Sequence, residues 1–487
     1  MNKPLRRVAI FCGLLMLALL VRNNWIQYAQ ADKLRTDEKN RRVAIERYAT
    51  PRGDIIVDGE PITGHKATGG DFAYKRTYKD GAMWAPVTGY VSQAFGANQL
   101  EAIEDGILTG NDDRLFFRNT LDMLTGEKRQ GGSVVTTLSS AAQKAAYEGL
   151  GDKKGAVAAI EPSTGKILAL ASTPSYDPSS FAGASNKDGE AWNALQKKNN
   201  PDDPMLNRAL RETYSPGSTF KVVTAAAALE EGLVDDIDAK TDTPEPWIMP
   251  DTTTPLRNHG NIRCENATLR AALQYSCNSV FGKLSDEVGN EKMIEYAEKF
   301  GFNEAKLDTP VRAAMSVFPE DNRPQNAMAG IGQASNRATP LQMAMVTAAI
   351  ANDGTLMRPY MVDQLKAPNL DTIETTEPQE LSQPVSAENA QKLQEMMETV
   401  VEEGTGGNAR IDGVTVGGKT GTAERGINNT GKPYAWFISY AKTDEGSPVA
   451  VAVVVEDSNA TGADISGGGL AAPIAKDVME AVLKSKQ

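Results

Sequence analysis

Histidine is almost missing from this chain of 487 residues: it occurs twice, as His65 and His259, far apart and without partners at ligand spacing. That scarcity argues against a metal centre and against a Ser-His-Asp triad, since both depend on imidazole at the reacting atoms. Cysteine is nearly as scarce. Cys12 falls in an N-terminal apolar segment, and no C-x-x-C occurs. Cys264 and Cys277 are close in sequence and can pair outside the membrane. Two separate buried thiols fit equally well, because a disulfide demands a geometry that sequence does not show. An excess of positive charge is also lacking. The net charge is −12, with no basic stripe and no cluster of aromatic and basic residues, which argues against nucleic acid as a partner. The acidity serves solubility. There are no internal repeats.

What is present divides the chain. Lys3, Arg6 and Arg7 precede the apolar run Val8 to Val21, an arrangement that sends the following chain outward across a membrane. The run is short for a spanning helix, and Trp25, Ile26 and Tyr28 extend it into the far interface. Ala29-Gln30-Ala31 fits a signal-peptidase site, but the polar residues between Val21 and Ala29 sit awkwardly for cleavage. A retained signal anchor over residues 1–31 is the expectation, and either outcome puts the rest outside the cytoplasm. From Asp32 to Arg47 the chain is a charged stalk. A short strand then ends in the turn Asp58-Gly59, and residues to about 132 read as a small α+β module. Arg52-Gly53-Asp54 is read as a structural turn rather than an adhesion motif. Lys153-Lys154-Gly155 marks the expected boundary, dividing residues 32–152 from residues 153–487.

Beyond it, Ala156 to Ile160 and Ile167 to Ala171 read as a hairpin. A helix follows Thr219, another includes Met343 to Ala351, and a third is capped by Ser386 and runs to Glu403. Residues 363–384 read as a charged, proline-containing connection. Strands are expected at Val414 to Ala423, Tyr434 to Ala441 and Val449 to Glu456, and a C-terminal helix at about Ala471 to Leu483. Strands at both ends with helices between imply that the ends of this domain meet in one sheet.

The stretch Tyr214-Ser215-Pro216-Gly217-Ser218-Thr219-Phe220-Lys221 organises the rest. Pro216-Gly217 breaks the incoming chain, and Ser218 sits at the N-cap or first turn of an apolar helix that carries no charge until Glu230. Lys221 is three residues on, hence on the same face. A lysine in an apolar helix is pushed towards the neutral amine, and such an amine beside a serine hydroxyl is a base beside a nucleophile. S-x-x-K alone is weak: about two chance matches are expected in a chain of this length. Ser163-Thr164-Gly165-Lys166 is one, with its lysine at the start of a strand, solvated. Only Ser218 has the buried-helix context.

Two further motifs lie downstream. Ser276-Cys277-Asn278 offers a hydroxyl that relays a proton and an amide that orients a substrate. Lys419-Thr420-Gly421-Thr422 lies on a strand, and K-T-G is scarcer, at about a tenth of a chance match. A cation with two hydroxyls suits a carboxylate, glycine lets another backbone approach, and exposed strand N–H groups can pair with an extended peptide.

In this order and at these separations the three motifs resemble those of penicillin-binding proteins, specifically the class B, monofunctional enzymes of peptidoglycan synthesis. Pro51-Arg52-Gly53-Asp54-Ile55, Asn207-Arg208-Ala209, Gly330-Ile331-Gly332-Gln333 and Thr339-Pro340-Leu341-Gln342-Met343-Ala344 support the resemblance. It covers the chain from about Lys154 to the end closely and the N-terminal third less specifically. It implies an α+β fold: a transpeptidase domain with an antiparallel sheet flanked by helices and an all-helical part, behind a membrane anchor and a small non-catalytic module. It implies that Ser218 attacks the carbonyl between the last two D-alanines of a stem peptide while Lys221 takes its proton. Backbone N–H groups of Ser218 and Thr422 would form the oxyanion hole. Ser276 and Lys419 would pass the proton to the leaving D-alanine, Asn278 would hold the substrate amide, and Thr420, Gly421 and Thr422 would bind the substrate's carboxylate end. β-Lactams would acylate Ser218. No metal and no cofactor is expected, and the partners implied are peptidoglycan stem peptides, the membrane, and proteins of wall synthesis or division.

Rival readings share the motifs. A β-lactamase or β-lactam sensor of class A type needs a deacylating glutamate, for which Glu304-Ala305-Lys306-Leu307-Asp308 is an imperfect match. A D,D-carboxypeptidase would use water as acceptor, and a non-catalytic divisome scaffold would have no reason to keep all the motif residues. Glycosyl transfer finds no clear acidic pair in the N-terminal region.

Overall fold

The structure, a computed structural model, describes residues 3–35, 42, 45, 47–115, 130–259, 262–424, 431–457 and 465–486. Helix α1 (Lys3–Ala29) buries none of its side chains and is, among the described residues, the one helix long and apolar enough to cross a membrane. Its 27 residues extend about 40 Å, more than the roughly 30 Å of a bilayer core. Most of the expected charged stalk, residues 36–41, 43, 44 and 46, lies outside the described residues, as do residues 116–129 of the small module.

In that module Ile55–Val57 runs into the left-handed turn Asp58-Gly59 (φ 49° and 79°), as the Asp-Gly pair predicts. Arg52 of the Arg-Gly-Asp tripeptide is buried. Its Nε donates to Glu101 Oε2 at 2.6 Å, and Arg76 Nε donates to Glu101 Oε1 at 2.6 Å. Burial alone would raise the Glu101 carboxyl, but Arg76 and Arg52 outweigh it and hold it below the usual range.

The five strands of this module's sheet run in the order Thr372–Thr375, Val362–Lys366, Ser133–Thr136, Ile55–Val57, Glu60–Pro61. The stretch expected as a charged connection over 363–384 therefore corrects to two strands of this sheet and a third, Glu380–Ser382, that pairs with Leu356–Met357. Leu365 is opposite Val134, and both are buried. Val362 and Leu365 are the two buried side chains that seat Val362–Lys366, while the other two strands bury none, and polar residues masked the pattern.

From Ser140 the chain runs through α2 (Ser140–Leu150), β1 (Lys154–Ile160), β2 (Ile167–Thr173), α3 (Lys221–Glu230), α4 (Asn278–Val288), α5 (Pro340–Ala351), α6 (Ala387–Glu402), β3 (Thr415–Ala423), β4 (Tyr434–Thr443), β5 (Gly446–Asp457) and α7 (Ala472–Ser485). The sheet order is β3-β4-β5-β1-β2, antiparallel throughout. Ala452 pairs with Ala158, so the two ends of the domain meet in one sheet as expected. Strand alternation sorts its side chains into two cores. Ala158, Ile438 and Ala452 pack with α5, which is buried all round. Val157, Phe437 and Val451 pack with α2 and α7. Because α2 covers this sheet, the compact unit begins ahead of residue 153. Lys166 is partly exposed and paired with Asp363 at 3.0 Å.

Candidate active site

Gly217, at φ +55°, turns the chain into a tight helical turn, Gly217–Phe220, from which α3 continues. Thr219 Oγ1 donates to Pro216 O at 2.7 Å, and Gly217 N donates to Gly332 O at 2.9 Å. Gly332 (φ +77°) has no room for a side chain: a Cβ would stand 2.0 Å from Gly217 O. The turn presents Ser218, half-buried, to a cleft of about 770 Å³.

Lys221 is fully buried behind that turn. Its amine donates to Ser276 O at 2.8 Å and Asn278 Oδ1 at 2.7 Å, and lies 3.2 Å from Ser276 Oγ. Burial, with the charge of Lys419 as a second cause, pushes it well below the usual lysine range. The expected direct contact between Lys221 and Ser218 is not made: among the described residues, no hydrogen bond joins the two side chains. Three acceptors converging from the S-x-N segment hold the amine instead.

Ser276 closes the helix Leu269–Gln274 in the left-handed region, φ +62°, where non-glycine residues are uncommon and strain marks a functional constraint. Cys277 is disulfide-bonded to Cys264, which closes the alternative left open by the sequence and ties down the residue between Ser276 and Asn278. Asn278 opens α4; its Nδ2 donates to Arg257 O at 2.8 Å.

Lys419 is fully buried on β3, and its amine donates to Ser276 Oγ at 3.0 Å and Thr420 O at 3.0 Å. Burial lowers it to about 7. Thr420 Oγ1 is 2.7 Å from Thr405 Oγ1, a partner outside every motif, while Thr422 lines the cleft. Gly421 serves packing: a Cβ there would meet Thr219 Cγ2 at 2.9 Å and Pro216 O at 3.0 Å, so glycine lets β3 lie against the nucleophile turn. β3 is an edge strand of the sheet. The cleft also takes in Arg257, His259, Arg337 and Glu424, which motif reading missed because none belongs to a spaced pattern. Glu304 is exposed, accepts from Lys306 N, and does not line the cleft. Among the described residues no His, Cys, Asp and Glu side chains gather into a metal-binding group.

A half-buried serine with a depressed amine behind it, and a second hydroxyl shared by two buried lysines, can perform nucleophilic acyl transfer in which amines, rather than imidazole, carry the proton. The penicillin binding protein transpeptidase domain matches residues 155–480, and the penicillin binding protein A dimerisation domain matches residues 52–134. The chain belongs to the penicillin-binding protein family. It is 40% identical to the peptidoglycan D,D-transpeptidase PbpA of Mycolicibacterium smegmatis over 99% of both chains. The PbpA of Mycobacterium tuberculosis is also 40% identical, over the full length of both. Penicillin-binding protein A of M. tuberculosis, solved as its ceftriaxone acyl-enzyme, superposes with a TM-score of 0.83 at 39% identity, over 90% of this chain and 100% of that one. The penicillin G acyl-enzyme gives 0.82 at 39% identity, over 89% and 100%.

Proposed function

We propose that this chain is a peptidoglycan D,D-transpeptidase of cell wall synthesis, acylated by β-lactams, with Ser218 as nucleophile. The observation that carries the reading is Ser276 Oγ, 3.2 Å from the Lys221 amine and 3.0 Å from that of Lys419. Two buried amines around one hydroxyl, without a carboxylate, cannot both stay charged, so the cluster stores a proton acceptor beside a proton path. The assignment of roles rests on that geometry and on the family motif. Substrate entry turns the Ser218 hydroxyl onto neutral Lys221, since resting hydrogen bonds at such sites tighten only in the complex. Ser218 Oγ then bonds to the carbonyl carbon between the last two D-alanines, the C–N bond to the terminal residue breaks, and Lys221 returns the proton through Ser276 to the departing amine. Lys419, Thr420 and Thr422 take the terminal carboxylate, Asn278 the substrate amide, and the N–H groups of Ser218 and Thr422 the oxyanion. An amine of a neighbouring stem displaces Ser218 and completes the cross-link.

Residues 1–31 anchor the chain, the segment from residue 32 to the start of α2, completed by the strands within 362–375, forms a non-catalytic module that meets wall-synthesis or division proteins, and the chain from α2 onward otherwise carries the chemistry outside the cytoplasm. Purified protein incubated with peptidoglycan strands tests the reading: cross-linked products and free D-alanine should form together and vanish in Ser218→Ala. Free D-alanine without cross-links would make it a carboxypeptidase.

A further inference from the structure

The cleft holds two cations that the transpeptidation roles leave unused. The Arg337 guanidinium is moored by a single nitrogen: Nη1 donates to Ser215 Oγ at 2.7 Å, Ala334 O at 2.9 Å and Asn336 O at 2.8 Å. Nη2 and Nε make no described hydrogen bond, and no carboxylate among the described residues pairs with it. Arg257 is exposed, and its backbone carbonyl is held by Asn278 Nδ2, which fixes its base against the S-x-N segment. Among the described residues its guanidinium has no partner. Elsewhere the cations of this acidic chain are commonly spent on carboxylates, as in Arg270 with Asp238 and Glu395, or Arg323 with Asp286. Two guanidinium groups without a described carboxylate partner line one cleft with Ser218 in its wall and Glu424 as its acidic member, and bring positive charge beside the nucleophile. Guanidinium is suited to a carboxylate, which it binds through paired N–H groups.

We propose that Arg257 and Arg337 determine specificity for a donor peptide that carries free carboxylates upstream of its D-alanyl-D-alanine end, and select it over the same peptide with those carboxylates amidated. The inference rests on the proposed transpeptidase reading. It assigns the two arginines no part in the bond-making steps: they hold the donor chain along the cleft while Lys419 and the threonines hold its terminus.

The test compares two synthetic donor pentapeptides ending in D-alanyl-D-alanine, one with free upstream carboxylates and one with both converted to carboxamides. Release of D-alanine is followed with the full-length enzyme, and kcat/KM is taken for each. Wild type should favour the free-carboxylate donor by about tenfold or more, the scale of one charge-assisted contact. Arg257→Gln should lower that ratio several-fold through KM, and Arg257→Lys should keep part of it. Arg337→Gln should lower it too. Because Arg337 also moors Ser215, Arg257→Gln carries the test if Arg337→Gln fails to fold. Equal kcat/KM for the two donors in wild type, or an unchanged ratio in Arg257→Gln, overturns the proposal. Penicillin labelling in parallel separates the two levels. An adduct at Ser218 without selectivity sinks only the arginine assignment, whereas no adduct in wild type sinks the transpeptidase reading and this proposal with it.

Discussion

At the scale of single residues, the site is governed by what burial does to lysine. Lys419 has no carboxylate within bonding distance among the described residues, and its amine falls to about 7 from a usual 10.5. Below about 7 the folded protein holds it charged at full desolvation cost. Between about 7 and 10.5 the unfolded chain binds the proton more tightly, so this residue makes stability rise with pH across that window. Lys419→Met should therefore stabilise the protein at pH 7 by something on the order of a few kcal/mol, with the gain shrinking towards pH 10, while abolishing acylation. Chemical denaturation at pH 7 and pH 9 checks the first statement. In wild type the second-order rate of β-lactam acylation should fall as pH rises through about 7, because the ammonium that attracts the ligand carboxylate loses its proton. A flat profile from pH 6 to 9 would contradict that role. The spacing of Ser218 and Lys221 put both on one helix face, and that was legible. Sequence could not reveal that Ser276 O and Asn278 Oδ1, some 55 residues away, take the amine's hydrogen bonds. Competition between acceptors is a property of the folded cluster.

At the scale of elements, the nucleophile turn is clamped between two backbones. Gly332 O accepts from Gly217 N on one side, and Gly421 on β3 lies against Pro216 O and Thr219 on the other. Gly332→Ala must move the turn, since φ +77° and a 2.0 Å approach to Gly217 O both forbid a Cβ. The expected result is a loss of penicillin acylation of tenfold or more together with a lowered melting temperature, measured by labelling and thermal unfolding. Strands β1 to β5 and helices α5 to α7 were legible because each combines a continuous apolar run or an apolar stripe with a marked end, such as Ser386 Oγ accepting from Asn389 N or Pro340 in the first turn of α5. The strands Val362–Lys366 and Thr372–Thr375 were not. They are short and mostly polar, and although they pair with each other, the strand that seats Val362–Lys366 in the sheet, Ser133–Thr136, is more than two hundred residues upstream. Local pattern carries no record of a pairing at that separation.

At the scale of the whole molecule, the chain is a single helix followed by two cores that share strands. The N-terminal module is completed by residues 362–375, and α2 crosses over to cover the catalytic sheet. The catalytic sheet does not include α1, whose side chains are all unburied. A chain starting after Ala31 should accordingly leave the membrane fraction and still form the penicillin adduct, as fractionation followed by labelling would show. Retention in the membrane would move the attachment to the module.

The measurement that bears most directly on the central claim is mass spectrometry of the protein after brief exposure to penicillin G. The account predicts one added penicilloyl group, mapped to the peptide containing Ser218, stable over many minutes and absent from Ser218→Ala. An adduct on Ser163 or elsewhere, or one that persists in Ser218→Ala, would contradict it.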